Sequence, residues 1–267
     1  MSDDTSLPHG HIDTEIEGST CWVTFNNPAR MNALNTSMWA SLPGIIEDAQ
    51  NNEAVRVVIL RGAGGKAFSA GADISEFGSA RTGNAAKEYD ELNHAAFGAV
   101  MRCAKPTIAM IEGYCMGGGL ELALVCDFRY AAENARFAIT PAKLGLGYSF
   151  SDVQRLVAIL GAGSARKLLL TGRMHDAIEA VGLGLVDAVM APTALDESVE
   201  ALATALSENA PLTLRALKAA LIEAGRPAPE QDREYIQQLV DRCHASEDFK
   251  EGQLAFSEKR PPRFKGI

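Results

Sequence analysis

The stretch of the sequence best suited to chemistry is a run of three glycines. Gly117, Gly118 and Gly119 follow an apolar segment that has the composition of a buried strand, and an apolar helix is predicted directly after them. Glycines permit positive φ angles and close approach of a ligand, and a helix start presents unpaired N–H groups. These features suit the binding of an oxyanion, although three glycines can also serve only to pack a strand tightly against a helix.

One acidic residue favours the chemical interpretation of the glycines. Glu121 lies two residues beyond the triplet, in a helical segment made otherwise of leucine, alanine, valine and cysteine. A carboxylate in apolar surroundings is costly unless it is functional or paired, and burial raises its proton affinity. Glu121 is therefore a candidate general base or acid.

A second small-residue stretch, Gly62 to Ile74, follows the predicted strand Val55 to Arg61. Its start matches a relaxed dinucleotide-binding fingerprint, but Phe68 to Gly71 continue as a turn where a helix should begin, which disfavours a nucleotide-dependent oxidoreductase. The weak echo of a hydrolase nucleophile around Ser69 lacks its first glycine. The five histidines are predicted to be surface or structural residues, and they are His9, His11, His94, His175 and His244.

The two stretches together resemble the crotonase superfamily, also called the enoyl-CoA hydratase/isomerase family. The first contains the phrase F-x-A-G-A-D-I, and the second reads K-P-x-I-A-x-x-x-G-Y-x-x-G-G-G-x-E about forty residues later. Smaller matches occur at Asn27 to Leu34 and at Leu170 to Val186. The resemblance runs from about Thr20 to Val189, with a similar ending near Phe264.

This resemblance implies that the substrate is an acyl-CoA thioester, with no metal and no further cofactor. The thioester oxygen would be held by the backbone N–H groups of Ala72 and Gly118, and Glu121 would move a proton. The residues implied for binding CoA lie in two loops, and they are Ala29, Met31, Ala33, Ala70, Asp73 and Ile74.

The sequence departs from the family's pattern at the second carboxylate. Hydratases of this family usually carry a further glutamate in a segment F-G-x-P-E-x-x-L-G, and Pro141 occupies its place here. Asp152 is the predicted substitute, with Tyr148 and Glu76 as other candidates, while Ser151 or Asp152 could instead cap the helix predicted from Val153.

We therefore expect an enoyl-CoA hydratase-type reaction through a stabilised enolate, with alternatives left open. Moving a double bond needs one base that shuttles a proton between carbons, so Glu121 alone suits an enoyl-CoA isomerase. Thioester hydrolysis, decarboxylation and dehalogenation use the same enolate. A catalytically idle acyl-CoA-binding subunit is a further alternative, which the retention of Glu121 disfavours.

Composition excludes several other classes of protein. A net charge of -9 disfavours nucleic acid as a partner. Five widely separated cysteines without a C-x-x-C pair argue against disulfides and zinc, and they favour a reducing cytoplasm. The acidic, polar first residues and the absence of a long apolar run predict neither a signal peptide nor a membrane span.

The elements that must position these residues alternate between strands and helices. Asn35 is the predicted N-cap of a helix reaching Asn51, and Gly83 to Ala104 forms a longer amphipathic helix. The predicted strands are Thr20 to Asn26, Val55 to Arg61, Pro106 to Tyr114 and Asp127 to Ile139. With the resemblance, this pattern predicts an α/β fold with a crotonase-like ββα spiral core and an all-helical C-terminal appendage.

The predicted division of the chain places an acyl-CoA-binding core at residues 1–192 and a helical region at 193–267. The second part is predicted as three helices, Ala194 to Asn209, Pro211 to Ala224 and Ala228 to about Lys259. Helices that the core cannot cover commonly bury their apolar faces against a sister subunit. The family resemblance implies a homotrimer or a dimer of trimers.

Overall fold

The computed structural model describes residues 10–76 and 83–267, and its centre is formed by two β-sheets. Within these ranges the strands are β1 His11–Glu17, β2 Thr20–Asn26, β3 Val57–Gly62, β4 Ala67–Ser69, β5 Thr107–Ile111, β6 Tyr114–Met116, β7 Phe128–Ala132, β8 Arg136–Ala138, β9 His175–Asp176 and β10 Ala188–Met190. One sheet has the order β1-β2-β3-β5-β7-β10, and the other has the order β4-β6-β8-β9.

Helices surround the sheets and make up the end of the chain. The α-helices in the described ranges are α1 Thr36–Asn51, α2 Gly83–Arg102, α3 Gly118–Leu124, α4 Pro141–Leu144, α5 Phe150–Thr171, α6 Ala177–Leu183, α7 Leu195–Ser207, α8 Pro211–Ala224, α9 Arg233–His244 and α10 Glu247–Glu258. Short 3-10 turns occupy Pro28–Arg30, Ala63–Gly65, Ile74–Glu76, Pro192–Ala194 and Ala228–Glu230.

The central strands β3 and β5 of the larger sheet are buried on both faces, which explains why they are almost continuously apolar. Alternate residues of β3 point to opposite sides: Val58 and Leu60 join the main core, whereas Val57 and Ile59 join a second cluster. Helix α7 covers that second face. The pairing of β2, β3, β5, β7 and β10 is parallel, and only β1 runs antiparallel to its neighbour in this sheet.

The first helix begins where the sequence predicts. The Asn35 side chain accepts a hydrogen bond from the Met38 N–H at 2.8 Å, so it caps α1. Pro43 lies inside this helix, which nevertheless continues to Asn51. Trp39 is buried on the inner face of the helix and packs edge-on against Phe97 of α2, with ring centroids 5.5 Å apart.

Two predicted strands each divide into two strands that belong to different sheets. The segment from Pro106 to Tyr114 is broken at Gly113, which has a φ of 67°. A Cβ atom at Gly113 would lie 1.9 Å from the Lys66 carbonyl oxygen, so only glycine fits. The segment from Asp127 to Ile139 turns between β7 and β8. In both segments a tight turn carries the chain from the larger sheet to the smaller one.

Several helix and strand predictions need correction. Ser246 caps a new helix by accepting a hydrogen bond from the Phe249 N–H at 3.0 Å, so the long helix predicted from Ala228 is really α9 and α10. Helix α5 begins at Phe150, before the predicted start at Val153, and Gly161 interrupts it with a φ of 73° and a ψ of 156°. The sequence interpretation missed β1, β4, β9 and β10, because three of these are very short and the exposed β1 lacks an apolar run.

Helix α7 ties the start of the predicted C-terminal region to the core. Its buried residues Leu195, Val199 and Ala203 pack with Ile59 and Ile108 of the larger sheet. The chain beyond it, from α8 to α10, is helical as predicted. The division of the chain near residue 192 stays a prediction.

Two features are absent from the described residues. Across residues 10–76 and 83–267, none of the helices combines the length and apolar character needed to cross a membrane. Over the same part of the chain, no group of three or more His, Cys, Asp or Glu side chains could hold a metal ion. The polar start of the sequence, including His9, lies outside the described residues.

The contact between α3 and β4 yields a stability prediction. A Cβ atom at Gly119 would lie 2.6 Å from the Ser69 Cβ and 2.8 Å from its carbonyl oxygen. We expect Gly119→Ala to lower the free energy of unfolding by about 1–3 kcal/mol, because the two backbones must separate. Chemical denaturation measures the change.

A control for this prediction lies in α5, where Gly163 has open space around its Cβ position. Gly163→Ala should leave stability unchanged or raise it slightly, since alanine has the higher helix propensity. Equal effects of the two substitutions would contradict the proposed close packing of α3 on β4.

Candidate active site

The turn between β6 and α3 presents a backbone N–H group to a cavity. Gly117 has a φ of 49° and donates its N–H to the Ala138 carbonyl at 2.8 Å, which anchors the turn to β8. Gly118 is the first residue of α3, so its N–H is one of those at a helix start that have no intrahelical partner. The middle glycine of the triplet therefore offers a free N–H donor beside the cavity.

A second loop brings another backbone donor to the same place. The Leu34 N–H donates to the Gly71 carbonyl at 2.8 Å, and the Asp73 N–H donates to the Leu34 carbonyl at 2.9 Å. Ala72 lies between these two hydrogen bonds, in a parallel bridge with Leu34. In a parallel bridge the central residue directs its own N–H away from the bridged partner.

Glycine at position 71 lets the two loops approach each other. Gly71 has a φ of 91°, and a Cβ atom there would lie 2.8 Å from the Met116 carbonyl oxygen and 3.3 Å from the Gly118 nitrogen. Ala72 and Gly118 both line the cavity. The two residues expected to supply backbone donors are therefore brought together.

The cavity has a volume of about 450 Å³ and receives most of the predicted site residues. Those that line it are Met31, Ala70, Ala72, Ile74, Gly118, Glu121 and Asp152. Three residues expected near CoA do not line it: Ala29 is exposed, Ala33 is buried, and Asp73 is buried and accepts a hydrogen bond from Arg30 at 2.6 Å. The sequence thus identified the residues that line the cavity better than the residues expected near CoA.

Glu121 is buried in α3, with 3% of its surface exposed. The Tyr148 hydroxyl donates a hydrogen bond to its Oε1, and Arg155 Nη1 donates to its Oε2 at 3.0 Å. Burial raises the pKa of Glu121 to about 7, although the Tyr148 hydrogen bond and the Arg155 charge act in the opposite direction. A carboxyl group with such a pKa can take up and release a proton near neutral pH.

Tyr148 keeps its proton in this arrangement. Burial is the main cause that raises the pKa of its hydroxyl well above the usual value, and the neighbouring Glu121 carboxylate adds to the effect. Tyr148 therefore remains a hydrogen-bond donor to Glu121. It also lines the cavity, and the sequence analysis named it as a candidate for the second acid.

Asp152 lies in the first turn of α5 and belongs to the same polar network. Its carboxylate accepts hydrogen bonds from Ser149 Oγ at 2.6 Å and from Arg155 Nη1 at 3.1 Å. The expectation that Ser151 or Asp152 caps this helix needs correction, because Ser149 is the N-cap and accepts the Asp152 N–H at 3.1 Å. The Asp152 side chain is thereby free to face the cavity.

Pro141 begins α4 and forms part of the buried cavity wall. The position of the usual second glutamate is therefore filled by an apolar ring. Glu76, the other proposed substitute, accepts hydrogen bonds from the Thr36 N–H and hydroxyl at 2.8 and 2.7 Å, and it does not line the cavity. Asp152 is the second carboxylate that shares a partner with Glu121.

Two polar residues of the site were missed by the sequence interpretation. His94 was expected to be a surface or structural residue, but it lines the cavity and places Nε2 3.2 Å from Asp152 Oδ1. Arg155 was not assigned any role. Both belong to a network joined across long sequence separations, and no local motif marks such a contact.

Known proteins resemble this chain in sequence and in fold. The sequence model of the family described as enoyl-CoA hydratase/isomerase matches residues 15–267. A short-chain-enoyl-CoA hydratase of Clostridium acetobutylicum is 35% identical over 250 residues, which cover 94% of this chain and 95% of that protein. A peroxisomal Delta(3,5)-Delta(2,4)-dienoyl-CoA isomerase of Arabidopsis thaliana is 32% identical over 265 residues, which cover 95% of each chain.

The solved structures show the same fold. The crystal structure of an enoyl-CoA hydratase/carnithine racemase from Magnetospirillum magneticum superimposes with a TM-score of 0.90 and 38% identity, and the match covers 96% of each chain. The predicted crotonase-like fold and the family resemblance are thus confirmed. The chain belongs to the enoyl-CoA hydratase/isomerase family.

Proposed function

We propose that this protein adds water across the double bond of a 2-enoyl-CoA thioester, as an enoyl-CoA hydratase. One observation carries the proposal: the buried Glu121, whose pKa is about 7, lines the same cavity as the backbone donors of Ala72 and Gly118. A base poised near neutral pH beside an oxyanion site suits enolate chemistry on a thioester. The hydratase relative of Clostridium acetobutylicum supports this choice of reaction.

The two backbone donors stabilise the charge that develops during the reaction. The N–H groups of Ala72 and Gly118 hold the thioester oxygen as it gains negative charge. A donor aimed at such an oxygen typically lowers the barrier by about 3–4 kcal/mol. Side-chain substitution cannot remove these groups, so the turns that position them define the chemistry of the site.

Glu121 moves the proton in both steps. Its carboxylate takes a proton from water as the water oxygen bonds to Cβ, and the electron pair of the double bond passes to the thioester oxygen through Cα. The protonated Glu121 then gives its proton to Cα, which yields a 3-hydroxyacyl thioester and restores the carboxylate. The Tyr148 and Arg155 hydrogen bonds support the ionised form between turnovers.

Asp152 supplies the second carboxylate of the site. It lines the cavity and shares the Arg155 guanidinium with Glu121, whereas Pro141 occupies the place of the usual second glutamate. We assign Asp152 the task of accepting a hydrogen bond from the attacking water. Because the pKa of Glu121 lies near 7, we assign to Glu121 the proton that reaches Cα.

The CoA moiety is proposed to lie along the loops at the mouth of the cavity. Met31, Ala70 and Ile74 line this part of the cavity, and Met31 and Ile74 expose apolar surface there. Ala29, Ala33 and Asp73 belong to the same loops and set their shape. The hydrogen bond from Arg30 to Asp73 at 2.6 Å joins the two loops beside the cavity.

An enoyl-CoA isomerase is the second candidate. The apolar Pro141 at the place of the usual second carboxylate favours it, because shifting a double bond needs only one base. The dienoyl-CoA isomerase relative from Arabidopsis thaliana is consistent with this alternative. The same Glu121 and backbone donors would then move a proton between carbons without water.

We also propose that the protein works in the cytoplasm as a homotrimer or a dimer of trimers. All five cysteines are free, as a reducing compartment requires. Phe256 of α10 is 88% exposed and Leu221 of α8 is 76% exposed, and both helices border an apolar groove that includes Phe249. Apolar faces of this kind are commonly covered by a further copy of the chain.

The central prediction concerns turnover and its dependence on Glu121. The protein should consume a 2-enoyl-CoA with loss of the conjugated thioester absorbance and a mass gain of one water. Glu121→Gln should lower kcat by about 100-fold or more, because it removes general base catalysis. Calorimetry should still show binding of the acyl-CoA thioester.

The matching control is Glu112→Gln, which changes a glutamate outside the cavity lining. This variant should keep wild-type turnover. Gain of conjugation from a 3-enoyl-CoA, without hydration of the 2-enoyl substrate, would favour the isomerase. Full activity of Glu121→Gln would contradict the role given to this residue.

The pH dependence follows from the pKa of Glu121. Because the reaction needs the ionised carboxylate, kcat/KM should fall about tenfold per pH unit below the Glu121 pKa of about 7. Folded Glu121 binds its proton more tightly than the unfolded chain does, so its contribution to stability is lost as pH rises from about 4.5 through about 7.

The loss of stability with rising pH should be absent from a variant whose residue 121 cannot ionise. Glu121→Gln should therefore stabilise the fold more at pH 8 than at pH 5, and thermal melts at the two pH values test this. A kcat/KM profile that stays flat from pH 5 to 8 would contradict a pKa near 7 for the essential base.

The proposed assembly can be measured by light scattering. The wild-type protein should show a multiple of the 28.4 kDa chain mass. Phe256→Asp should reduce that multiple by placing a charge in the apolar contact. Lys250→Asp, which changes an exposed residue of the same helix, should not. A wild-type mass of 28.4 kDa would refute the oligomer.

A further inference from the structure

The guanidinium of Arg155 bridges the two carboxylates of the site. Its Nη1 lies 3.0 Å from Glu121 Oε2 and 3.1 Å from Asp152 Oδ1. The side chain is only 16% exposed, yet Arg155 does not line the cavity. It therefore contacts both acids from outside the cavity lining.

An aromatic chain fixes the guanidinium in this position. Its central carbon lies 4.6 Å from the centroid of the Phe97 ring, which favours a cation–π contact. Phe97 packs edge-on against Trp39, and a Cβ atom at Gly118 would lie 3.1 Å from the Trp39 ring. Packed side chains thus connect Arg155 with the turn that carries the Gly118 N–H.

We propose that Arg155 is a positioning residue that orients the Glu121 carboxylate and couples its protonation to the charge of Asp152. This inference rests on the proposed function, because it explains how the base of that reaction, Glu121, is oriented and how its protonation is controlled. Two carboxylates that face one cavity repel each other, and a shared cation offsets the repulsion. The permanent charge of Arg155 holds both in place in either protonation state of Glu121.

The charged and titratable groups around Glu121 come from two sides. Tyr148, Asp152 and Arg155 approach from the chain around the start of α5, and α2 contributes Asp90 and His94 to the same cavity. Arg155 favours the ionised form of Glu121, whereas Asp152 favours the protonated form. When Glu121 takes up a proton, Arg155 remains paired with Asp152, so the guanidinium always keeps a carboxylate partner.

Opposite charge changes on the two partners should move the pH profile in opposite directions. Arg155→Met should lower kcat by about tenfold or more and move the acidic limb of kcat/KM about one pH unit upward. Arg155→Lys should restore most of the position of the limb. Asp152→Asn should move it downward, because a charge that raises the Glu121 pKa is removed. KM should change less than about threefold for Arg155→Met, since Arg155 does not touch substrate.

The matched control for these variants is Arg166→Met, which replaces an exposed arginine of the same helix. It should leave kcat, KM and the profile at wild-type values. An Arg155→Met enzyme with reduced kcat but an unshifted limb would overturn the coupling and leave only a structural role. Shifts of equal sign in Arg155→Met and Asp152→Asn would overturn it as well.

A spectroscopic titration separates this inference from the proposed function. The carboxyl band of Glu121, identified by infrared difference against Glu121→Gln, should titrate at higher pH in Arg155→Met than in wild type. The titration midpoint of Arg155→Lys should lie between those of Arg155→Met and wild type. This measurement needs no turnover. Failure to hydrate any enoyl-CoA would refute the hydratase alone, whereas an unmoved carboxyl band would refute the role of Arg155.

Discussion

An ionisable carboxylate inside an apolar helix is the constraint on which the rest of this structure depends. Glu121 is nearly inaccessible to water, and burial of its charge opposes the ionised state that a base requires. Two donors, Tyr148 and Arg155, reduce that cost by occupying one oxygen each. The balance between burial and these hydrogen bonds keeps the proton exchangeable near neutral pH.

The backbone around this carboxylate is arranged by close packing of glycine turns. Gly71 and Gly113 occur where the Cβ of any other residue would collide with a neighbouring backbone. Gly71 follows β4 and Gly113 precedes β6, so the position of each turn is fixed by the pairing of β4, β6 and β8 in the smaller sheet. Since the donors belong to the main chain, the fold itself forms the oxyanion site.

The sequence predicted local features better than contacts between distant segments. Glu121 could be recognised because a carboxylate in an apolar helix has a physical signature of its own, and the Asn35 cap could be recognised for a similar reason. Ala72 and Gly118 were implied by the family resemblance. The environment of Asp152 could not be predicted. His94 lies 58 residues away from it in sequence, and Arg155 lies within α5, where no motif marked its role. Short strands such as β9 were also missed, because two residues carry no periodic pattern.

Helix α5 consists of two segments with different structural roles. Gly161 has a φ of 73° and a ψ of 156°, a combination essentially restricted to glycine, and it interrupts the helix between them. The segment before it carries Asp152 and Arg155, whereas the segment after it anchors Ala165 and Leu168 in the main core. Leu156 also anchors the first segment in that core, so directed evolution can vary the exposed positions of this segment at little risk to folding as long as Leu156 is kept.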